Sequence, residues 1–286
     1  MEKLLPDVLM DLWQSVGEQH FTGDQFYVEQ QRLVDGYRQI WKDALIVEGR
    51  CDLKESILWE LGCYTGCDDL HEIERQGREA MSAAKREWED NVRVEDQRSV
   101  EQFYDETQTN LYELMWWHTI EEDTSPLAYV TALQFARNHG CHRLLDFGAG
   151  VGSGGILFAR SGLEIALGDI SSPLLQFSGW RFRLRGLPAQ FLDLKQEVLP
   201  GETFDMITAM DVFEHLADPV ATAERLWKSL KPGGFLFGRF GVELDEQQPQ
   251  HIVRDFGPTF QRMEELGFVS IWEDKWLWGH QAYQKS

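Results

Sequence analysis

An acid closing an apolar run, followed by glycines at alternate positions, has the most definite chemistry in this chain: Leu144-Leu-Asp-Phe-Gly-Ala-Gly-Val-Gly152. Gly148 and Gly150 let the backbone turn and approach a ligand, and a helix opening at Gly152 would present unpaired N–H groups. The order Asp-x-Gly-x-Gly-x-Gly differs from the G-x-G-x-x-G of dinucleotide sites and leaves less room for a pyrophosphate. Two further acids end apolar runs, Asp169 in Leu167-Gly-Asp-Ile170 and Asp193 in Phe191-Leu-Asp-Leu194. A carboxylate at such a strand tip can accept from two adjacent hydroxyls. The plainer readings are a helix cap before Ser171 for Asp169, a loop acid for Asp193 and a structural role for Asp146. His215 follows another apolar run and could accept a proton near neutral pH, orient a neighbour or pack. The spacing Cys63-x-x-x-Cys67-x-x-x-His71 would align three ligands on one helix face. Gly62 and Gly66 weaken that helix and only distant Cys51 could complete the set, so the expectation is no metal.

Positioning these groups requires a sheet, and the pattern supplies one from Arg143 onward. The short apolar runs RLLDF, EIALGDI, AQFLDL, FDMITAM, GFLFGRF, FVSIWE and WGHQAYQ alternate with helical stretches. That predicts a parallel sheet covered on both faces, with the last two runs forming an edge hairpin. Residues 1 to about 140 show helical spacing over Asp24–Leu45, Leu53–Leu61, Asp69–Val92, Val100–Ile120 and Leu127–Asn138. Asp123-Thr-Ser-Pro126 reads as a helix start, and Glu243 to Gln250 as a mobile loop beside the sheet. Trp41, Trp59, Trp88, Trp116 and Trp117 concentrate in the helical half, where they could pack a core or cover a substrate cavity.

Bulk properties restrict the partners. A formal charge of −21 repels phosphate backbones. The cluster Arg181, Arg183 and Arg185 reads as the wet face of an amphipathic helix, so no nucleic-acid partner is expected. No run is long and apolar enough to cross a membrane, and the acidic start is unlike a signal peptide. Four cysteines are too few and too scattered for a disulfide framework. The expectation is a soluble cytoplasmic protein with reduced thiols and no membrane partner.

Over roughly residues 143 to 280 the chain resembles the class I S-adenosylmethionine-dependent methyltransferases, especially small-molecule enzymes of the ubiquinone-biosynthesis type. Asp146 through Gly152, with Ala149, resembles the loop that holds the methionine part of the cofactor. The resemblance implies that Asp169, followed by Ile170, binds the ribose hydroxyls, and that Asp193 contacts the adenine amino group with Leu192 or Leu194 on the ring. Phe204-Asp-Met-Ile-Thr-Ala-Met-Asp211-Val-Phe-Glu-His215 resembles the fourth motif, and Leu230-Lys-Pro-Gly-Gly-Phe235 the turn into the fifth strand. It further implies substrate contact for His251 and a place over the cofactor for Tyr104. Catalytic candidates are thus His215, His251 and Tyr104.

The expected architecture is a Rossmann-like, doubly wound α/β sheet of seven strands at residues 123–286, with an N-terminal α-helical cap at residues 1–122. The expected reaction is in-line transfer of the methyl group of S-adenosylmethionine to a small-molecule acceptor. The alternatives are chemistry on the cofactor's aminocarboxypropyl chain and a non-catalytic cofactor-binding module.

Overall fold

The computed structural model describes residues 2–18, 21–242 and 248–286. Helices come first: α1 (Leu5–Gly17), α2 (Gly23–Leu45), α3 (Leu53–Thr65), α4 (Leu70–Asn91), α5 (Gln97–Glu106), α6 (Thr109–Trp117) and α7 (Ala128–Asn138). Their starts are written locally. Thr22 and Gln25 form a reciprocal capping box on α2, while the side chains of Asp52, Asp69 and Asp96 accept first-turn amides of α3, α4 and α5.

The alternating part follows as β1 (Arg143–Phe147), α8 (Ser153–Arg160), β2 (Glu164–Asp169), α9 (Ser172–Leu184), β3 (Gln190–Asp193), β4 (Phe204–Ala209), α10 (Pro219–Ser229), β5 (Leu230–Arg239), α11 (Gly257–Leu266), β6 (Phe268–Glu273) and β7 (His280–Lys285). The seven strands lie in the order β3-β2-β1-β4-β5-β7-β6. Strands β1 to β5 are parallel, and β7 inserts antiparallel between β5 and β6. The expected terminal hairpin is present, and it makes the sheet mixed. Strand order reverses at β1 and β4, which opens a crevice at their carboxyl ends.

Alternation along the central strands sorts the core onto two faces. Leu144, Met206, Phe235 and Phe237 join a cluster with Trp41, Leu45 and Ile57 of the helical half. Leu145, Ile207 and Leu236 face the other way, with Leu226 of α10 and Met263 of α11. The helical half therefore packs into the same apolar core as one side of the sheet. Trp41 stacks on Tyr129 at 5.8 Å and donates to the carbonyl of His118.

The arginines on α9 correct the sequence reading. Arg183 is exposed, but Arg181 and Glu60 have no exposed side-chain surface and Arg185 has 2%. Arg181 makes a bidentate pair with Glu60 of α3, both bonds 3.1 Å. Its remaining nitrogen donates to the carbonyl of Val151 at 2.8 Å and to Ser153 Oγ at 2.7 Å. Arg185 joins Glu60 and donates to the carbonyl of Leu45. Burial alone would raise the Glu60 pKa, but the two guanidiniums overcome it and hold it below the usual value. A wet face was expected because only α9 itself was considered; the partner carboxylate lies 121 residues away in sequence.

Two helices differ as well. The expected helix over Val100–Ile120 breaks between α5 and α6, where Thr107 and Thr109 both donate to Glu87 of α4, and it ends at Trp117, before Ile120 takes a positive φ. Helix α1 was not foreseen; it is held to the sheet by Asp7, which accepts from Trp272 Nε1. Of the expected loop at Glu243–Gln250, residues 243–247 lie outside the described residues. Among the described residues no helix is long and apolar enough to cross a membrane.

Breaking one arm of the buried triad leaves two guanidiniums uncompensated, so Glu60→Ala is expected to cost about 3–5 kcal/mol of stability. Denaturant unfolding measures this. A loss under about 1 kcal/mol would show that the triad does not hold α3 to α9.

Candidate active site

The crevice at the ends of β1 and β4 deepens into a cavity of about 1050 Å³. One wall is the loop after β1: Gly148, Ala149 and Gly150. Asp169 and Ile170 at the end of β2, Leu194 after β3, and Asp211, Glu214 and His215 after β4 continue it. Helices α5 and α6 supply Tyr104, Asn110, Glu113, Leu114, Trp116 and Trp117, and the β6–β7 connection supplies Trp276 and Trp278.

Asp169 is buried, and burial raises its pKa, opposed by backbone amides. Its Oδ2 accepts from Gly150 N and its Oδ1 from Ser171 N, both at 2.8 Å. One carboxylate thus pins the glycine loop to the end of β2, and each oxygen retains acceptor capacity. The cap on α9 is instead Ser171, whose Oγ accepts from Leu174 N. Gly150 has φ +53, and a Cβ there would meet Leu114 Cδ1 at 2.9 Å. The close approach that Gly150 permits is therefore, in this structure, that of the helical cap.

Asp146, Gly152 and Asp193 do not line the cavity. Asp146 is fully buried in β1, accepts from Thr208 Oγ1 of β4 at 2.8 Å, and is pushed up to about 7, mainly by burial. Gly152 has φ +74 at the start of α8, where a Cβ would meet Ser178 Oγ at 2.9 Å. Asp193 pairs in register with Asp169 but spends its oxygens on Lys195 N and Gln196 Nε2. Asp211 has φ +50 and pairs with Arg239 at 2.9 Å.

The three catalytic candidates come together. His215 Nδ1 lies 3.1 Å from both Tyr104 Oη and the carbonyl of Gln250, and its ring is 4.8 Å from that of His251. Because a carbonyl requires a donor, Nδ1 carries the proton and Nε2 the lone pair. Burial, reinforced by the charge of His251, pushes His215 down to about 4, and burial raises the Tyr104 phenol. Among the described residues, donor atoms of Glu214, His215 and His251 lie within 4.8 Å of one another, and this is the group able to hold a metal ion. Cys63 is exposed, Cys67 is half-buried, and neither joins such a group with His71.

Of the tryptophans considered as a cover, Trp116 and Trp117 line the cavity. Trp41 is core, Trp88 packs on Phe103, and Trp59 lies under Arg50. Sequence reasoning missed Trp276 and Trp278, which are fixed because Asp274 accepts the amides of Trp276, Leu277 and Trp278 at 2.8–2.9 Å. The signal was present as an acid followed by a short tryptophan-rich turn before Gly279. Glu113 was missed too; desolvation alone raises its pKa to about 7.

Residues 145–236 match a family model described as a methyltransferase domain. The chain is similar to the ubiquinone biosynthesis O-methyltransferase of Paracidovorax citrulli, 30% identical over 134 residues, covering 43% of this chain and 55% of that protein. It is also similar to the protein of the same name from Parvibaculum lavamentivorans, 36% identical over 100 residues, covering 33% of this chain and 38% of that one. The chain thus spans about half or less of the length of these curated relatives. Among solved structures, an S-adenosylmethionine-dependent methyltransferase from Leishmania major aligns with a TM-score of 0.51 at 18% identity, over 69% of this chain and 88% of that one. That likeness is one of fold.

The depressed pKa of His215 sets a pH dependence. Between about 6.5 and 4 the unfolded chain takes up a proton that folded His215 refuses, so this residue lowers stability as pH falls through that window. Relative to His215→Asn, the native chain is expected to lose on the order of 2 kcal/mol between pH 7 and 4.5 in denaturant unfolding. A difference independent of pH would show that His215 titrates normally.

Proposed function

We propose, taking residues 145–236 as a class I S-adenosylmethionine-dependent methyltransferase domain, that the chain methylates a small-molecule acceptor enclosed between the sheet and its helical cap. In this reading residues 123–286 bind the cofactor and residues 1–122 form the cap that shapes the acceptor site. The observation that carries it is Asp169, a buried acid on the cavity wall whose two oxygens are already aimed by Gly150 N and Ser171 N.

The residues present fit the cofactor. Asp169 retains acceptor capacity for a ribose diol, the amides after β1 turn at the mouth of the cavity, and Ile170 and Leu194 offer apolar surface beside it. Bound S-adenosylmethionine supplies an electrophilic methyl group on a sulfonium. The chain's own contribution is to hold an acceptor in line in a dry pocket. Asp146 acts one step back, joining β1 to β4 through Thr208 and so setting where the glycine loop begins. Asp193, committed to its own turn, supports adenine contact less than Leu194 does. His215 at neutral pH is an uncharged imidazole whose Nε2 can accept a hydrogen bond, which favours orientation of the acceptor over general-base work. Tyr104 fixes that ring, and His251 stands beside it.

Asp169→Ala is expected to weaken binding of S-adenosylhomocysteine more than tenfold while the chain remains folded, because hydrogen bonds of about 0.5–3 kcal/mol each are removed. Calorimetry beside a melting curve checks it; unchanged affinity would remove Asp169 from the site. In turnover the released nucleoside should be S-adenosylhomocysteine, and methylthioadenosine would instead indicate reaction of the aminocarboxypropyl chain.

A further inference from the structure

We infer that α6 carries an amine-binding subsite in which Glu113 holds the nitrogen of a cationic acceptor beside Trp117 and receives its proton. The inference rests on the methyl-transfer reading above and names the acceptor class for that same cavity.

The first support is placement. Asn110, Glu113, Leu114 and Trp117 stand three, four and seven residues apart on α6, one face of a helix, and all four line the cavity. Leu114 on that face is the side chain a Cβ at Gly150 would strike, so the face abuts the loop assigned to the cofactor. Glu113 also lies close enough to Tyr104 that, after burial, its charge is the first of those opposing ionisation of the phenol. Tyr104 contacts His215, so Glu113 belongs to the side of the cavity where the candidate catalytic groups gather.

The second support is charge. The cations on the cavity wall are committed: Arg78 to Glu74 and Glu122, Arg239 to Asp211, and Lys275 to Glu273. Of the other acids there, Asp169 is held by two amides, Asp274 by three and Asp123 by Ser125 and Trp117, while Glu214 is grouped with His215 and His251. Among the described residues no donor or cation is found on Glu113, whose ionisation responds to desolvation alone. A half-buried carboxylate left without a counter-charge calls for a cation from the ligand. An anionic acceptor would find the wall cations engaged and this carboxylate repelling it.

The third support is the aromatic wall. Trp117, Trp276, Trp278, Tyr104 and Tyr129 surround the space, and an ammonium is attracted to such ring faces. A protonated amine satisfies both features, but its nitrogen has no lone pair until it loses a proton. The R–NH3+ group passes one proton to a Glu113 carboxylate oxygen, leaving R–NH2 with its lone pair and a neutral carboxyl. The carboxyl then releases that proton to solvent.

The test uses the full chain saturated with S-adenosylhomocysteine and three probes of matched shape: phenethylamine, 2-phenylethanol and 3-phenylpropionate. Binding is read by calorimetry for the native chain and for Glu113→Gln, which keeps the side-chain shape, with melting temperatures measured alongside. Expected are at least about tenfold tighter binding of the amine than of the other two, and loss of that preference in Glu113→Gln with S-adenosylhomocysteine affinity unchanged. Failure of the native chain to bind the amine, equal or tighter binding of the alcohol or carboxylate, or a preference that survives in Glu113→Gln would overturn the inference. Weakened S-adenosylhomocysteine binding in Glu113→Gln would overturn it too, by giving Glu113 to the cofactor's own ammonium. If the native chain does not bind S-adenosylhomocysteine, the methyl-transfer reading itself fails, which is a separate result.

Discussion

Arg181 has no side-chain surface in contact with water, and its three nitrogens join parts of the molecule that are far apart in sequence: Glu60 of the helical half, the Val151 carbonyl in the glycine loop and the Ser153 hydroxyl just after it. Burying a guanidinium is costly unless it is paired and its donors are engaged. Those donors are engaged only while α3, α9 and the loop hold one arrangement. The ion pair is thus less a source of net stability than a constraint on register, fixing the cap against the segment that begins α8.

From that constraint the cavity follows. With α3 and the glycine loop tied, α6 is carried onto the mouth of the switch point, where Leu114 rests over Gly150. The sheet side contributes Asp169, held by backbone amides, and the cap side contributes aromatic surface and the carboxylate of Glu113. This division suits a methyltransferase, in which the reactive group arrives with the cofactor and the protein must mainly orient an acceptor and exclude water. In the proposed reading the helical half takes part in shaping the acceptor site as well as in packing.

What could be read from the sequence was what depends on local pattern. Strands β1 to β7 appear as apolar runs, the glycine loop as spacing, and Asp169 as an acid at a strand tip, because period and turn chemistry are written in neighbouring residues. What escaped depends on partners distant in sequence. Arg181 reads as solvent-facing until Glu60 is beside it. Glu113 is one acid among many in a chain of charge −21 until burial singles it out. The break at Thr107 follows from Glu87 accepting two hydroxyls, and apolar spacing runs through it without interruption. Asp193 matched a pattern, yet its oxygens serve the turn that follows.

The central claim is that cap and glycine loop behave as one unit closing over the cofactor, and amide hydrogen exchange with and without S-adenosylhomocysteine tests it most directly. Slowed exchange is expected in α6, Thr109–Trp117, together with residues 148–152. Protection confined to the loops of the sheet, with α6 exchanging as before, would contradict it.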